Sequence, residues 1–139
     1  MRALLILLLL GVMLGCAQQE PYARMPDGAR IGLEVAYSTQ EHAQGLSGRE
    51  NLCEECGMLF VYADSDERGF WMYEMQFPID MIFIDEKGGV VDVAYQMQPC
   101  ESECIVYHSK GSAKYVLEVN AGYAQEHGVQ KGESIELHY

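Results

Sequence analysis

The segment Ile79–Asp85 (IDMIFID) constrains the chain more than any other. Read at the two-residue period of a strand, Ile79, Met81, Phe83 and Asp85 share one side, and Asp80, Ile82 and Ile84 the other. Apart from Asp80, both sides are apolar, which suits a strand buried on both faces. Pro78, just before it, cannot donate to a sheet ladder and marks a break or an edge. The residues leading in, Gly69–Phe77 (GFWMYEMQF), carry the only tryptophan, Trp71. Asp80 is the exception in an apolar run, and an unpaired buried charge is costly. It either accepts backbone hydrogen bonds where the chain turns, or lies at the floor of an aromatic-lined pocket that holds a polar or cationic ligand.

The rest of the chain supplies partners for such a strand. Alternation predicts strands over Ala29–Tyr37, Gly57–Tyr62, Gly89–Met97, Ala113–Val119 and Ser134–Tyr139. Glu86-Lys87-Gly88-Gly89 closes a hairpin, because its glycines supply the positive φ that such turns need. Ser38 followed by Glu41 forms a capping box for a short surface helix over Thr39–Leu46, which holds His42. Asn120 is a good cap for a second helix over Ala121–His127, ended by Gly128. Cys100–Gly111 shows no periodicity and reads as a long loop of the kind that often carries function. The expectation is a mainly β fold, a compact antiparallel β-sandwich or partly open barrel with two short helices.

At 139 residues the chain is one domain preceded by a leader. Arg2 and the apolar run Ala3–Leu14 end in Gly15-Cys16, similar to a bacterial lipoprotein signal in which Cys16 takes the lipid. The divisions are a signal peptide at 1–15, a lipid anchor and tether at 16–28, and a β-rich domain at 29–139. Ala17 after the cysteine favours a cell-envelope location, in the outer membrane facing the periplasm if the cell is Gram-negative. The formal charge of −12 disfavours nucleic acid and leaves the lipid as the contact with the membrane.

An exported chain with Cys53, Cys56, Cys100 and Cys104 points to disulfides. Three pairings are open, with the local pairs Cys53–Cys56 and Cys100–Cys104 the default. The alternative is one zinc held by all four thiolates. Cys53-Glu54-Glu55-Cys56 has redox spacing, but it precedes a strand, and the two glutamates raise a thiol pKa. Met58, Met72, Met75, Met81 and Met97 invite a copper reading, although methionine at alternating strand positions is more often core filler. Tyr107-His108-Ser109 lacks the elbow that presents a nucleophilic serine. No phosphate-binding glycine loop or HExxH is present.

Several segments in order resemble the family called domain of unknown function family 192. They are Gly45-Leu46 with Arg49, Gly57-Met58-Leu59-Phe60, Phe70-Trp71-Met72, Pro78-Ile79-Asp80 and Phe83-Ile84-Asp85. They continue with Pro99-Cys100, Tyr107 with Ser109, and Tyr115–Gly122 (YVLEVNAG). The resemblance implies a compact β-sandwich or barrel and names no reaction. Tyr73-Glu74-Met75 stands where the family usually shows Lys-Asn-Thr, and Ser47 where it shows methionine. Gly48 is an added residue, and Cys53 and Cys56 are additions too, whereas a cysteine pair in the Cys100–Cys104 loop occurs in relatives.

Together these readings predict a binding or accessory module for a small or polymeric envelope ligand, with no cofactor. The candidate ligand-binding residues are Trp71, Asp80, Tyr107, Ser109, Glu118 and Asn120, with Glu118 expected to pair with Arg49. An exported thiol-redox or hydrolytic enzyme, and a zinc- or copper-binding periplasmic protein, are the alternatives.

Overall fold

The computed structural model describes residues 19–139, so the signal segment and Cys16 lie outside the described residues. In chain order the elements are β1 (Tyr22–Arg24), β2 (Arg30–Ala36), α1 (Thr39–Gln44), β3 (Cys56–Asp66), β4 (Gly69–Phe70) and β5 (Ile79–Ile84). They continue with β6 (Val90–Met97), β7 (Tyr107–His108), β8 (Ala113–Asn120), α2 (Tyr123–Glu126) and β9 (Glu136–His138). Seven strands form one sheet in the order β6-β5-β8-β3-β2-β1-β9, and β4 pairs with β7 in a small second sheet. The fold is mainly β with two short helices.

Strand β5 sits inside this sheet between β6 and β8 and is buried at every position. Ile82 and Ile84 join one core with Ala23, Ile31, Leu59, Leu117, Val119 and the α2 residues Tyr123 and Ala124. Ile79, Met81 and Phe83 join a second core on the other face with Leu46, Phe60, Met72, Met75 and Val116. The two-sided apolar pattern thus reports two cores separated by one sheet. Each large apolar side chain buried here contributes about 1.5–3 kcal/mol. All five methionines considered for copper pack in or against the second core, as filler.

Around the first core the sheet curls until its ends meet. The N–H of Val90 donates to Glu133 O (2.8 Å) and that of Ile135 to Gly88 O (2.9 Å). These bonds join the β5–β6 hairpin to the segment entering β9, at the opposite edge of the sheet. A Cβ at Gly88, which has φ 87°, would stand 2.6 Å from Ile135 O, so only glycine allows this approach. This is one isolated bridge between the sheet's ends, and the sheet is not a closed barrel.

Three expectations need correction. One pairing, β2 with β3, is parallel, so the sheet is mixed. A parallel neighbour cannot be reached by a hairpin, and the chain crosses over through residues 37–55, carrying α1 across the second core. The stretch read as tether to residue 28 contributes β1, which pairs with both β2 and β9. Its middle residue Ala23 is fully buried, and so short a strand gives little periodicity to read. The loop from Cys100 likewise contains β7, whose two residues are too few to show alternation.

Asp80 is the hub of the fold. Its Oδ1 accepts the Gln96 N–H (2.7 Å), freed where β6 bulges opposite Asp80. Its Oδ2 accepts the N–H groups of Gly122 (3.0 Å) and Ala124 (2.9 Å), at the start of α2. Helix α2 has no side-chain cap of its own, and Asn120 instead donates to the carbonyls of Leu52 (3.2 Å) and Cys53 (2.9 Å). An Asp80→Asn substitution turns one acceptor into a donor facing buried N–H groups. It should destabilise the fold by about 2–4 kcal/mol in urea unfolding.

Candidate functional site

Glu118 comes from the same alternation that builds β8. Leu117 and Val119 face the first core, which turns Val116 and Glu118 to the second. Its lateral neighbours are Met58 on β3 and Met81 on β5, neither of which can pair with a carboxyl. Glu118 is 5 % exposed, and its Oε2 has no hydrogen-bond partner. Arg49, the expected partner, makes a bidentate pair with Glu34 at 2.6 and 2.7 Å. The charge of Arg49 reaches Glu118 only as a weaker opposing influence. Burial dominates and pushes the Glu118 carboxyl up to about 8, so it is mainly protonated at neutral pH.

Above Glu118 lies a groove of about 190 Å³. One bank is the crossover that the parallel pairing requires, with His42, Ala43, Gln44, Gly45, Leu46 and Ser47. The other consists of Phe60 and Tyr62 from β3 with Gly69, Phe70, Trp71 and Met75. Gly45 has φ 46°, and a Cβ there would approach Phe60 to 3.2 Å and Glu118 Oε2 to 4.0 Å. Its bare backbone therefore keeps the groove open above the carboxyl.

The aromatic side chains hold one another in place. Phe60 meets Phe70 edge to face at 5.1 Å, and Phe70 meets Phe83 in the same way at 6.1 Å. His42 lies 4.5 Å from the Tyr62 ring, and its Nε2 is 3.0 Å from Ala36 O. A carbonyl only accepts, so Nε2 carries the hydrogen in this contact. Arg68 stacks its guanidinium 3.9 Å over Tyr62 while donating to Ala113 O and to Asp64. Trp71 is 55 % exposed at the rim, with the Tyr73 ring 5.5 Å away.

Of the predicted site residues, only Trp71 and Glu118 come together in the groove. Asp80 is spent on backbone N–H groups and Asn120 on backbone carbonyls. Ser109 Oγ donates to Gly111 O (2.7 Å) and accepts the Arg68 N–H (3.0 Å). Tyr107 donates to Asp92 Oδ2 (2.8 Å), and burial together with that bond pushes its hydroxyl up to about 12. The Tyr107 bond ties the small sheet to the large one, and Ser109 fastens the loops on either side of it. The cysteines form the disulfides Cys53–Cys56 and Cys100–Cys104, with Cα–Cα distances of 5.1 and 5.7 Å. They do not converge on a zinc, and no three His, Cys, Asp or Glu among the described residues cluster as metal ligands. Sequence reading missed His42, Phe60, Tyr62 and Phe70 as lining residues. His42 read as a solvated helix residue because the covering strand lies far away in sequence.

Glu118 should leave a signature in stability against pH. Below its ordinary value of 4.5 it is protonated in folded and unfolded chains alike. Between 4.5 and about 8 only the folded form holds the proton, so its contribution to stability falls as pH rises. The slope is at most about 1.4 kcal/mol per pH unit. A Glu118→Gln variant should therefore gain about 2–3 kcal/mol on the parent between pH 6 and pH 9, read from paired urea titrations.

Comparison with known proteins places this geometry in a family. No curated protein matches the chain. A solved structure from Sinorhizobium meliloti 1021, described as a candidate transcription regulator, has 28 % identity and a TM-score of 0.76. It covers 84 % of this chain and 91 % of its own. A protein of unknown function from Novosphingobium aromaticivorans DSM 12444 has 30 % identity and a TM-score of 0.76, covering 84 % of this chain and 83 % of its own. The sequence pattern of domain of unknown function family 192 (DUF192, an uncharacterized ACR) matches residues 23–137, and the chain belongs to that family.

Proposed function

We propose that the protein is a lipid-anchored binding module of the cell envelope that holds a small ligand in the groove above Glu118. The observation that carries this reading is a buried carboxyl oxygen without a partner, on a residue that lines a groove walled by aromatic side chains. Buried polar groups are almost always bonded, so an orphan at the floor of a groove marks a place where a ligand completes the bonding. The groove is smaller than the roughly 300–1,000 Å³ of drug-sized pockets, which suits one head group of a ligand.

Binding is favoured over catalysis by what surrounds Glu118. Ser47 Oγ donates to Tyr73 O (3.2 Å), so the hydroxyl at the rim is already engaged. The Cys53–Cys56 disulfide stands outside the groove lining, and Asn120 fastens its loop through two carbonyls. DNA regulation, suggested by the description of the Sinorhizobium structure, sits poorly with 21 acidic against 9 basic residues. No helix among the described residues is long and apolar enough to cross a membrane. Attachment through a lipid on Cys16 is supported by the apolar leader that ends in Gly15-Cys16.

Two experiments test the reading. Ala43 is exposed on α1 and lines the groove, so Ala43→Trp should block the groove with little effect on stability. Ligands found in a small-molecule screen by Trp71 fluorescence should bind at least tenfold more weakly to that variant. A screen without hits, or with hits indifferent to the block, would sink the proposal. Radiolabelled palmitate should enter the parent and be absent from Cys16→Ser, which should leave the membrane fraction. Equal labelling of both would remove the anchor.

A further inference from the structure

We infer that the ligand of the groove is a small organic cation, an alkylammonium or quaternary ammonium group that sits against Glu118 and the aromatic side chains around it. The inference rests on the groove being a binding site and names the class of ligand it takes.

The lining selects by charge. Its ionisable members are His42, Tyr62 and Glu118, and it contains no lysine or arginine. The nearest guanidinium groups are engaged, Arg49 by Glu34 and Arg68 by Asp64 and the Tyr62 ring. An anion would meet a carboxyl and no free positive charge. A cation would meet Glu118 Oε2, which lacks any partner, and the rings of Phe60, Tyr62, Phe70 and Trp71. Such rings attract cations through their quadrupoles, as the stacking of Arg68 on Tyr62 already illustrates. The formal charge of −12 raises the local concentration of cations further.

Proton accounting separates a cation from a neutral guest. With no cation beside it, the Glu118 carboxyl is mainly protonated at pH 7. When the cation enters, the O–H bond breaks, the proton leaves to solvent and a carboxylate–ammonium pair remains, with no covalent bond formed. The charged or titratable groups around Glu118 are His42 on α1, Arg49 in the crossover and Tyr62 on β3. Its neighbours Met58 on β3, Met81 on β5 and Val116 on β8 carry no charge. Cation affinity should therefore rise about tenfold between pH 7 and pH 9 as displacement of the proton ceases to oppose binding. A neutral guest would show no such rise.

The probes are tetramethylammonium, n-butylammonium and the neutral near-isostere tert-butanol. Each is titrated into the full-length chain and followed by Trp71 fluorescence and calorimetry at pH 7 and pH 9. A cation should bind at least tenfold more tightly than tert-butanol, with heat at pH 7 that depends on the buffer because a proton is released. Glu118→Gln should cost at least tenfold and flatten the pH dependence. Phe70→Leu, which keeps the carboxyl, should weaken tetramethylammonium severalfold. Equal binding of tert-butanol, or cation binding indifferent to Glu118→Gln, would overturn the assignment. Failure of both cations would overturn it as well. A screen hit that Ala43→Trp blocks would then show that the groove binds a ligand of another class.

Discussion

Three backbone N–H groups from two separate segments converge on the side chain of Asp80, and much of the fold depends on that convergence. Gln96 lies in the bulge of β6, while Gly122 and Ala124 lie at the turn that starts α2. None of these N–H groups has a ladder partner there, because the bulge and the turn interrupt the regular pairing. One side chain on the central strand β5 supplies what both interruptions lack. It fixes the position of α2 over the first core and holds β6 in register beside β5.

Glu118 lies on β8 beside β5 and meets the opposite condition. Asp80 faces the side where the chain turns and offers backbone donors. Glu118 faces the side where methionine and phenylalanine surround it. Both carboxyls are buried, yet one is saturated and the other has an oxygen without a partner. In a medium of low dielectric the lack of donors keeps Glu118 mainly protonated at neutral pH. A carboxyl without donors holds its proton to higher pH than usual, and a ligand with positive charge would displace it sooner.

The groove exists because β2 and β3 run parallel. A hairpin between them would have left the outer face of β3 and β8 under other cover. The parallel pairing sends residues 37–55 over that face, setting His42, Gly45 and Ser47 opposite Phe70 and Trp71. Glu118 is thereby covered without being filled over, since Leu46 packs into the core beside it while Gly45 holds back.

The residues themselves determined the two-faced burial of β5, the capping box of α1, the tight β5–β6 hairpin and the local pairing of the cysteines as the default. Each depends on neighbours a few positions apart, where alternation, capping and loop closure act. Family membership was likewise readable, from ordered segments such as Phe70-Trp71-Met72 and Tyr115–Gly122. The sequence also marked Asp80 as a buried charge that had to find partners, and it offered backbone N–H groups as one way to do so. Which polar residues would be consumed by the fold and which left free was decided by tertiary structure alone. Asp80, Tyr107 and Asn120 found partners between 15 and 68 positions away in the chain, and Ser109 found one 41 positions away besides its neighbour Gly111. Glu118 found none, because Arg49 was taken by Glu34. Whether a buried polar atom is satisfied depends on donors brought in from distant strands, and short-range pattern carries no record of them.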